Sequence, residues 1–222
     1  EDKLLIDIIR FDEKVGPGTF ADWLTEFDCR VRFWRADRGE LPPVEEMHPV
    51  ILLGGYMGVN ERNELPYLQQ AAEWTATVVE RGRPLLAICL GGQLLAYALG
   101  AEVQSQVRQE KGLTKIVLTA EGKIDPLFRG LTSPFLSFEW HNDSFELPTG
   151  SIHLAKTQIC SPQVFRYRNA WGLQFHPEVD EQVVAEWCQR TGAGEGPLAA
   201  FRQRQGNYFQ HSRQLLKNFI AY

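Results

Sequence analysis

Apolar positions along this chain follow two periods, and their alternation lays out the architecture. Residues 3–10 hold Leu4, Leu5, Ile6, Ile8 and Ile9 in a short run that reads as a first strand. Gly16-Pro17-Gly18 is a turn, after which Phe20, Trp23, Leu24 and Phe27 share one face of a helix that Thr19 is placed to cap. Residues 30–35 predict a second strand towards the sheet edge. Pro42 and Pro43 interrupt the chain, and residues 50–53 are apolar throughout, as a strand buried on both faces must be. A helix is predicted over about 67–81 and another buried strand over 85–88. Leu90, Leu94, Leu95, Ala98 and Leu99 then recur at helical spacing, with Gly100 where a C-cap is expected. Strands and helices taking turns predict an α/β architecture, a doubly wound and mostly parallel sheet flanked by helices.

Beyond Gly100 the spacing tightens. Residues 113–119, 135–140, 152–156, 164–167 and 172–175 read as closely set strands, a small antiparallel or mixed section. A helix over about 181–189, a glycine-rich break at 192–197 and a last helix over 208–220 complete the reading. No repeat, low-complexity tract or linker divides the sequence, so residues 1–222 are expected to form one domain.

Composition narrows the function classes. At 222 residues and 44% hydrophobic the chain supports a large core, and its net charge of −5 argues against a nucleic-acid or anionic-membrane surface. No stretch approaches the roughly 20 apolar residues that span a bilayer. The start, from Glu1 to Ile6, lacks the basic and long apolar regions of a signal peptide. Cys29, Cys89, Cys160 and Cys188 are widely spaced and fit neither a disulfide framework nor a metal-ligand pattern, so a reducing cytoplasm is the expected location.

Cys89 stands where the 85–88 strand meets the following helix, with Ala87 before it and Gly91 and Gly92 after. Small residues around a cysteine at that junction describe a tight elbow projecting the sulfur from the sheet edge. The unpaired N–H groups that open the next helix favour thiolate over thiol. The competing reading is a small buried core cysteine. A second buried strand runs into Leu53-Gly54-Gly55-Tyr56-Met57-Gly58, where glycines let the backbone approach a ligand at the sheet's carboxyl edge. Its N–H groups, with that of Leu90, are placed to stabilise an oxyanion. A plain turn is the alternative there, and a phosphate loop lacks its Gly-x-Gly-x-x-Gly or Gly-Lys-Ser/Thr signature.

His176 and Glu178 sit two positions apart, on one side of an extended chain that Pro177 ends. A carboxylate beside an imidazole fixes its tautomer and stabilises the imidazolium, as a base for a thiol requires. Metal binding is the rival, without a second His/Cys cluster to accompany it. Between aromatic residues 138 and 145, an exposed-looking His141, Asn142 and Asp143 suit the grip of a polar substrate, or simply cap a structural turn.

Ala87-Ile88-Cys89-Leu90-Gly91-Gly92-Gln93 parallels a Gly-x-Cys-x-Gly-x-Gln elbow, and Gln174-Phe175-His176-Pro177-Glu178 parallels Gln-Phe-His-Pro-Glu. Both motifs, in this order, mark the class I, triad-type glutamine amidotransferases, which the chain resembles over about residues 4–186. The Gly54-Gly55 loop and the Trp140-His141-Asn142-Asp143 turn are similar to free-standing members related to the amidotransferase domain of GMP synthases. Ala87 replaces the usual glycine with another small residue, and nothing after Gln189 matches a motif.

The resemblance implies a flavodoxin-like fold and hydrolysis of the γ-carboxamide of glutamine, or of a related γ-glutamyl compound, through a thioester. It implies Cys89 as nucleophile, His176 as base, Glu178 as its orienting acid, and Gly54, Gly55 and Leu90 at the oxyanion. Gln93, His141, Asn142 and Asp143 become the substrate-binding residues. No cofactor and no metal are implied. Either a synthase partner chain takes the ammonia or the protein is a stand-alone γ-glutamyl hydrolase, the reading preferred from sequence. A related stress-protein and peptidase group often carries His after its cysteine, where Leu90 stands here. A non-catalytic binding module is countered by the intact Cys89, His176 and Glu178.

Overall fold

The computed structural model describes residues 3–222; Glu1 and Asp2, where the reading of the N-terminus begins, lie outside them. The first half of the chain forms β1 (Leu5–Arg10), α1 (Thr19–Glu26), β2 (Arg30–Arg35), β3 (Val50–Leu52), α2 (Pro66–Glu80), β4 (Leu85–Ile88) and α3 (Leu90–Ala98). Then come β5 (Val103–Gln104), β6 (Glu110–Leu118), α4 (Ala120–Ile124), β7 (Phe135–His141) and β8 (Ser144–Phe145). β9 (Ile152–Lys156), β10 (Val164–Tyr167), β11 (Ala170–Leu173), α5 (Glu181–Thr191) and α6 (Gly196–Ile220) complete the fold.

Nine of these strands make one sheet in the order β2-β1-β3-β4-β11-β10-β9-β6-β7, and β5 and β8 pair separately. The part from β2 to β11 is parallel and the rest is an antiparallel section, the doubly wound arrangement that the strand–helix alternation predicts. β4 lies between β3 and β11, and all three strands are buried along their whole length. Alternate residues of these apolar runs serve opposite faces. Ile51, Leu86 and Ile88 join a core with Phe20, Trp171 and Phe219, while Val50, Leu85 and Ala87 join one with Leu68, Val78 and Leu94. At about 1.5–3 kcal/mol for each fully buried large aliphatic, these two layers anchor the strand that delivers Cys89.

The antiparallel section curls back on the parallel part. His176, just past β11, bridges antiparallel to Phe138 of β7, its N–H donating to the Phe138 carbonyl at 2.7 Å. On the outer face of β7, Phe138 and Trp140 pack with Trp187 of α5, and Phe138 also meets Phe201 of α6.

Four expectations need correction. Thr19 does not cap α1: Gly18 occupies that position, and the Thr19 hydroxyl donates instead to the Glu178 carbonyl. The last helix begins at Gly196 rather than residue 208, because Pro197 suits a first helical turn and Phe201 is already buried. Between them, residues 202–206 are polar or Gly and largely exposed, which hides the apolar period. β6 starts at Glu110, three residues early, since a buried carboxylate there is held by distant partners. β11 ends at Leu173, where the chain leaves the sheet for His176.

Candidate active site

Cys89 is built by the β4–α3 junction. Its backbone lies at φ 51°, ψ −109°, a left-hand-side conformation that non-glycine residues seldom adopt and that tight surroundings must enforce. The Cys89 N–H donates to the Leu173 carbonyl of β11 at 2.8 Å, and its carbonyl accepts from Gln93 at 2.8 Å. The residue is thus pinned to a strand on one side and to its own helix on the other. Around the sulfur, the Trp140 carbonyl lies 3.9 Å away and the Gln174 amide nitrogen 3.7 Å away. As first residue of α3, Leu90 has no carbonyl within the helix to receive its N–H.

Gly54, after β3, marks where thiol and imidazole meet. A Cβ on Gly54 would stand 3.3 Å from both Cys89 Cβ and His176 Cε1, so the two side chains flank one spot at the sheet's carboxyl edge. His176 Nδ1 and Glu178 Oε1 are 2.7 Å apart, and both residues are buried. Burial alone would drive the imidazole to its neutral form. The Glu178 carboxylate and the Cys89 sulfur outweigh it and hold His176 well above the ordinary imidazole value. Cys160, by contrast, is pushed up to about 12 by burial, with Glu110 and Glu139 adding to the shift, and is an inert thiol.

The loop that carries His176 and Glu178 is fixed from three sides. Tyr208 of α6 donates its hydroxyl to the His176 carbonyl at 2.8 Å and accepts from the Val179 N–H at 3.0 Å. Thr19 holds the Glu178 carbonyl, and Gly18, at φ +52°, passes so close that any Cβ there would overlap that oxygen. Trp187 lies edge-on to the His176 ring, centroids 4.8 Å apart. One turn on, the Arg190 guanidinium sits 3.1 Å from the centre of the Tyr56 ring, tying α5 to the Gly54-Gly55 loop.

A pocket of about 470 Å³ opens in front of the sulfur, lined by Gly55, Tyr56, Gln93, His141, Asn142 and Asp143 among others. The residues expected to bind substrate therefore converge on it, but not all present free polar groups. His141 is buried, not exposed. Its Nδ1 meets the Asp143 carbonyl at 2.8 Å and its Nε2 meets Glu110 at 3.0 Å, so the ring braces the turn. Gln93 likewise spends its amide nitrogen on the Asp143 carbonyl and on Gln174 Oε1. Asn142 is exposed. Asp143 Oδ1 accepts from Ser105 and from the Gln106 N–H, while its Oδ2 faces Gly58, whose missing Cβ would lie 2.8 Å away.

Behind the pocket, Glu110, His141 and Cys160 bring metal-type donor atoms within 4.8 Å of one another. Glu110 nonetheless already accepts from Thr157 and Gln163, both at 2.6 Å, as well as facing His141. Hydrogen bonds satisfy its carboxylate, which favours a hydrogen-bonded network over a coordination sphere. Sequence reasoning missed Tyr208, Trp187, Arg190 and this network. Only Trp187, three residues after Val184 and four after Val183 on one helix face, left a local trace.

The sequence model of the class-I glutamine amidotransferases matches residues 19–186. A glutamine amidotransferase-like protein of Salmonella typhimurium is 32% identical over 180 residues, 78% of this chain and 75% of that protein. One subunit of a glutamine-hydrolysing GMP synthase from Saccharolobus solfataricus is 34% identical over 158 residues, 67% of this chain and 80% of its own length. The GMP synthase of Caldicellulosiruptor saccharolyticus is 36% identical over 144 residues, and the aligned part is 63% of this chain but 26% of that longer protein. A solved glutamine amidotransferase of Thermotoga maritima has the same fold, with a TM-score of 0.88, 27% identity and coverage of 100% of both chains. This chain belongs to the class-I glutamine amidotransferase family.

Proposed function

We propose that the protein hydrolyses the side-chain amide of glutamine, or of a close γ-glutamyl relative, through a γ-glutamyl thioester on Cys89. The meeting of thiol and imidazole beside Gly54, with Glu178 hydrogen-bonded to that imidazole, carries this reading. His176 takes the thiol proton, and the sulfur adds to the carboxamide carbon as the C=O π pair moves to oxygen. N–H groups of Leu90 and of the Gly54-Gly55 loop stabilise that oxyanion, a contribution of about 10²–10³ in rate per donor. His176 then protonates the amine, the C–N bond breaks, and ammonia leaves. A water molecule, giving its proton to His176, cleaves the thioester to glutamate and frees the thiol. Asp143 and Asn142 are the groups placed to receive the amino-acid end of the substrate.

The names of two relatives, a GMP synthase and one subunit of another, support a synthase chain as recipient of the ammonia over the stand-alone hydrolysis preferred from sequence. The test is direct. Purified protein should release ammonia and glutamate from glutamine in equal amounts, and Cys89→Ala should abolish the release while keeping the fold. A chloroketone analogue of glutamine should label Cys89 and spare Cys29, Cys160 and Cys188. Undiminished turnover by Cys89→Ala, or a native chain that neither turns glutamine over nor is labelled at Cys89 by the analogue, overturns the reading.

A further inference from the structure

The buried polar network behind the pocket runs on to the nucleophile, and its direction is fixed. The Asp143 carbonyl can only accept, and it takes both His141 Nδ1, at 2.8 Å, and Gln93 Nε2, at 3.1 Å. Gln93 therefore turns its amide nitrogen to that carbonyl, and the same nitrogen donates to Gln174 Oε1 at 3.3 Å. With its oxygen so placed, Gln174 presents its amide nitrogen to Cys89 Sγ, 3.7 Å away. We infer that Gln174 stabilises the Cys89 thiolate as a hydrogen-bond donor, and that Gln93, by fixing the direction of the Gln174 amide, is its positioning residue.

The inference rests on Cys89 being the nucleophile of the function proposed above. A thiol can give its hydrogen to the Trp140 carbonyl, 3.9 Å from the sulfur. A thiolate has no hydrogen to give and gains only from a donor. Of these two neighbours Gln174 alone donates, so the contact favours the charged sulfur. Were the Gln174 amide reversed, its oxygen would face the sulfur and oppose that charge. Its nitrogen would then meet the Gln93 nitrogen, two donors with no acceptor between them, so reversal costs both contacts at once.

Gln174 is fully buried and Gln93 is 3% exposed, surroundings in which a hydrogen bond is stronger than in water. Donor and sulfur are also mounted together. Cys89 follows β4 and Gln174 follows β11, and these two strands pair in parallel. The Gln174 N–H donates to the Gln163 carbonyl at 2.8 Å, and the Leu173 carbonyl just before it accepts from the Cys89 N–H. Gln93 and His141 line the pocket while Gln174 lies behind it, so its effect on the sulfur is separable from contact with substrate. The titratable groups that act on the sulfur are His176, from the loop after β11, and Glu139, from β7. Both stay in place in the test.

The experiment alkylates Cys89 with iodoacetamide over a series of pH values, with peptide mass spectrometry to separate Cys89 from Cys29, Cys160 and Cys188. The reagent reacts with the thiolate and has no amino-acid end, so its rate reports the charge on sulfur without the substrate's grip. Gln174→Met, of similar length and without a donor, should move the midpoint of the pH–rate profile up by about one unit. That is the roughly tenfold effect at the low end for a hydrogen bond to a charged group. Gln93→Met should move it up by less, because Gln174 is then free to reverse. The double variant should go no further than Gln174→Met alone. A merely loosened core would lower the melting temperature and leave the midpoint where it was. A Gln174→Met midpoint at the native value overturns the inference, as does a double variant that sums the two separate shifts. Should Gln174→Met fail to fold, Gln93→Met decides alone, and an unmoved midpoint is again fatal. Failure of the proposed function reads differently: native protein inert to glutamine and to its analogue, yet with a midpoint that Gln174→Met raises.

Discussion

Thr19 places both its backbone N–H, at 2.8 Å, and its hydroxyl, at 3.2 Å, on the carbonyl oxygen of Glu178, 159 residues away in sequence. The first turn of α1 is therefore part of the mounting of the acid. Gly18→Ala should be the harsher of two nearby changes, because its Cβ overlaps that oxygen and its φ of +52° disfavours any side chain. Misplacement by an ångström can cost roughly 10²-fold in rate, and a kcat loss of about tenfold or more is expected. Thr19→Val keeps the N–H and should cost only about 1 kcal/mol. Steady-state kinetics and thermal melts of the two variants check the contrast.

The state of the imidazole depends on its carboxylate. With Glu178→Gln the attraction that outweighs burial is lost, so the His176 pKa should fall below its native value. An NMR titration of His176 Cε1 reads this shift, and an unchanged titration would contradict the assignment. The kcat should drop by about 10²–10⁴, the range usual for general acid–base groups.

Tyr208→Phe removes a hydroxyl that serves two buried backbone groups at once. Leaving the Val179 N–H and the His176 carbonyl without partners should cost about 1–3 kcal/mol each, seen as a lower melting temperature. Because the tyrosine touches the loop and not the pocket, kcat should fall while KM holds.

Glu139 is fully buried, neither carboxyl oxygen has a hydrogen-bond partner, and burial beside Glu110 raises its pKa well above 4.5. The native state therefore keeps a proton that the unfolded chain has lost, and stability should decline as pH rises above about 4.5. Glu139→Gln has nearly the same shape and no charge to bury. Denaturant melts across this range should show the variant gaining steadily on the native protein as pH rises.

The centre of the parallel half was legible because β3 and β4 are buried along their whole length, and short apolar runs such as 50–53 and 85–88 between turn residues mark strands covered on both faces. The juxtaposition of Cys89, His176 and Glu178 was legible because each lies within a short motif near a strand end. What escaped was set by contacts across long stretches of chain. His141 reads as exposed beside Asn142 and Asp143, yet Glu110, 31 residues earlier, draws it inward. Tyr208 acts through a hydroxyl on backbone atoms, which no spacing of side chains encodes. Polar residues from Arg202 to Gly206 hid the first half of α6 although Phe201 was already packed. Thr19 carries a helix-capping signal that the tertiary bond to Glu178 overrides.

The bridge from His176 to Phe138 makes the imidazole answerable to a strand at the sheet's far edge. Side chains alternate along β7, with Ser137 and Glu139 buried on one side and Phe138 and Trp140 packed towards Trp187 on the other. A single extra residue in this strand would exchange those sides and set aromatic rings against buried carboxylates. Descendants of this sequence can lengthen the exposed turn at Thr149 and Gly150 freely, but changes in the length of β7 must come in pairs.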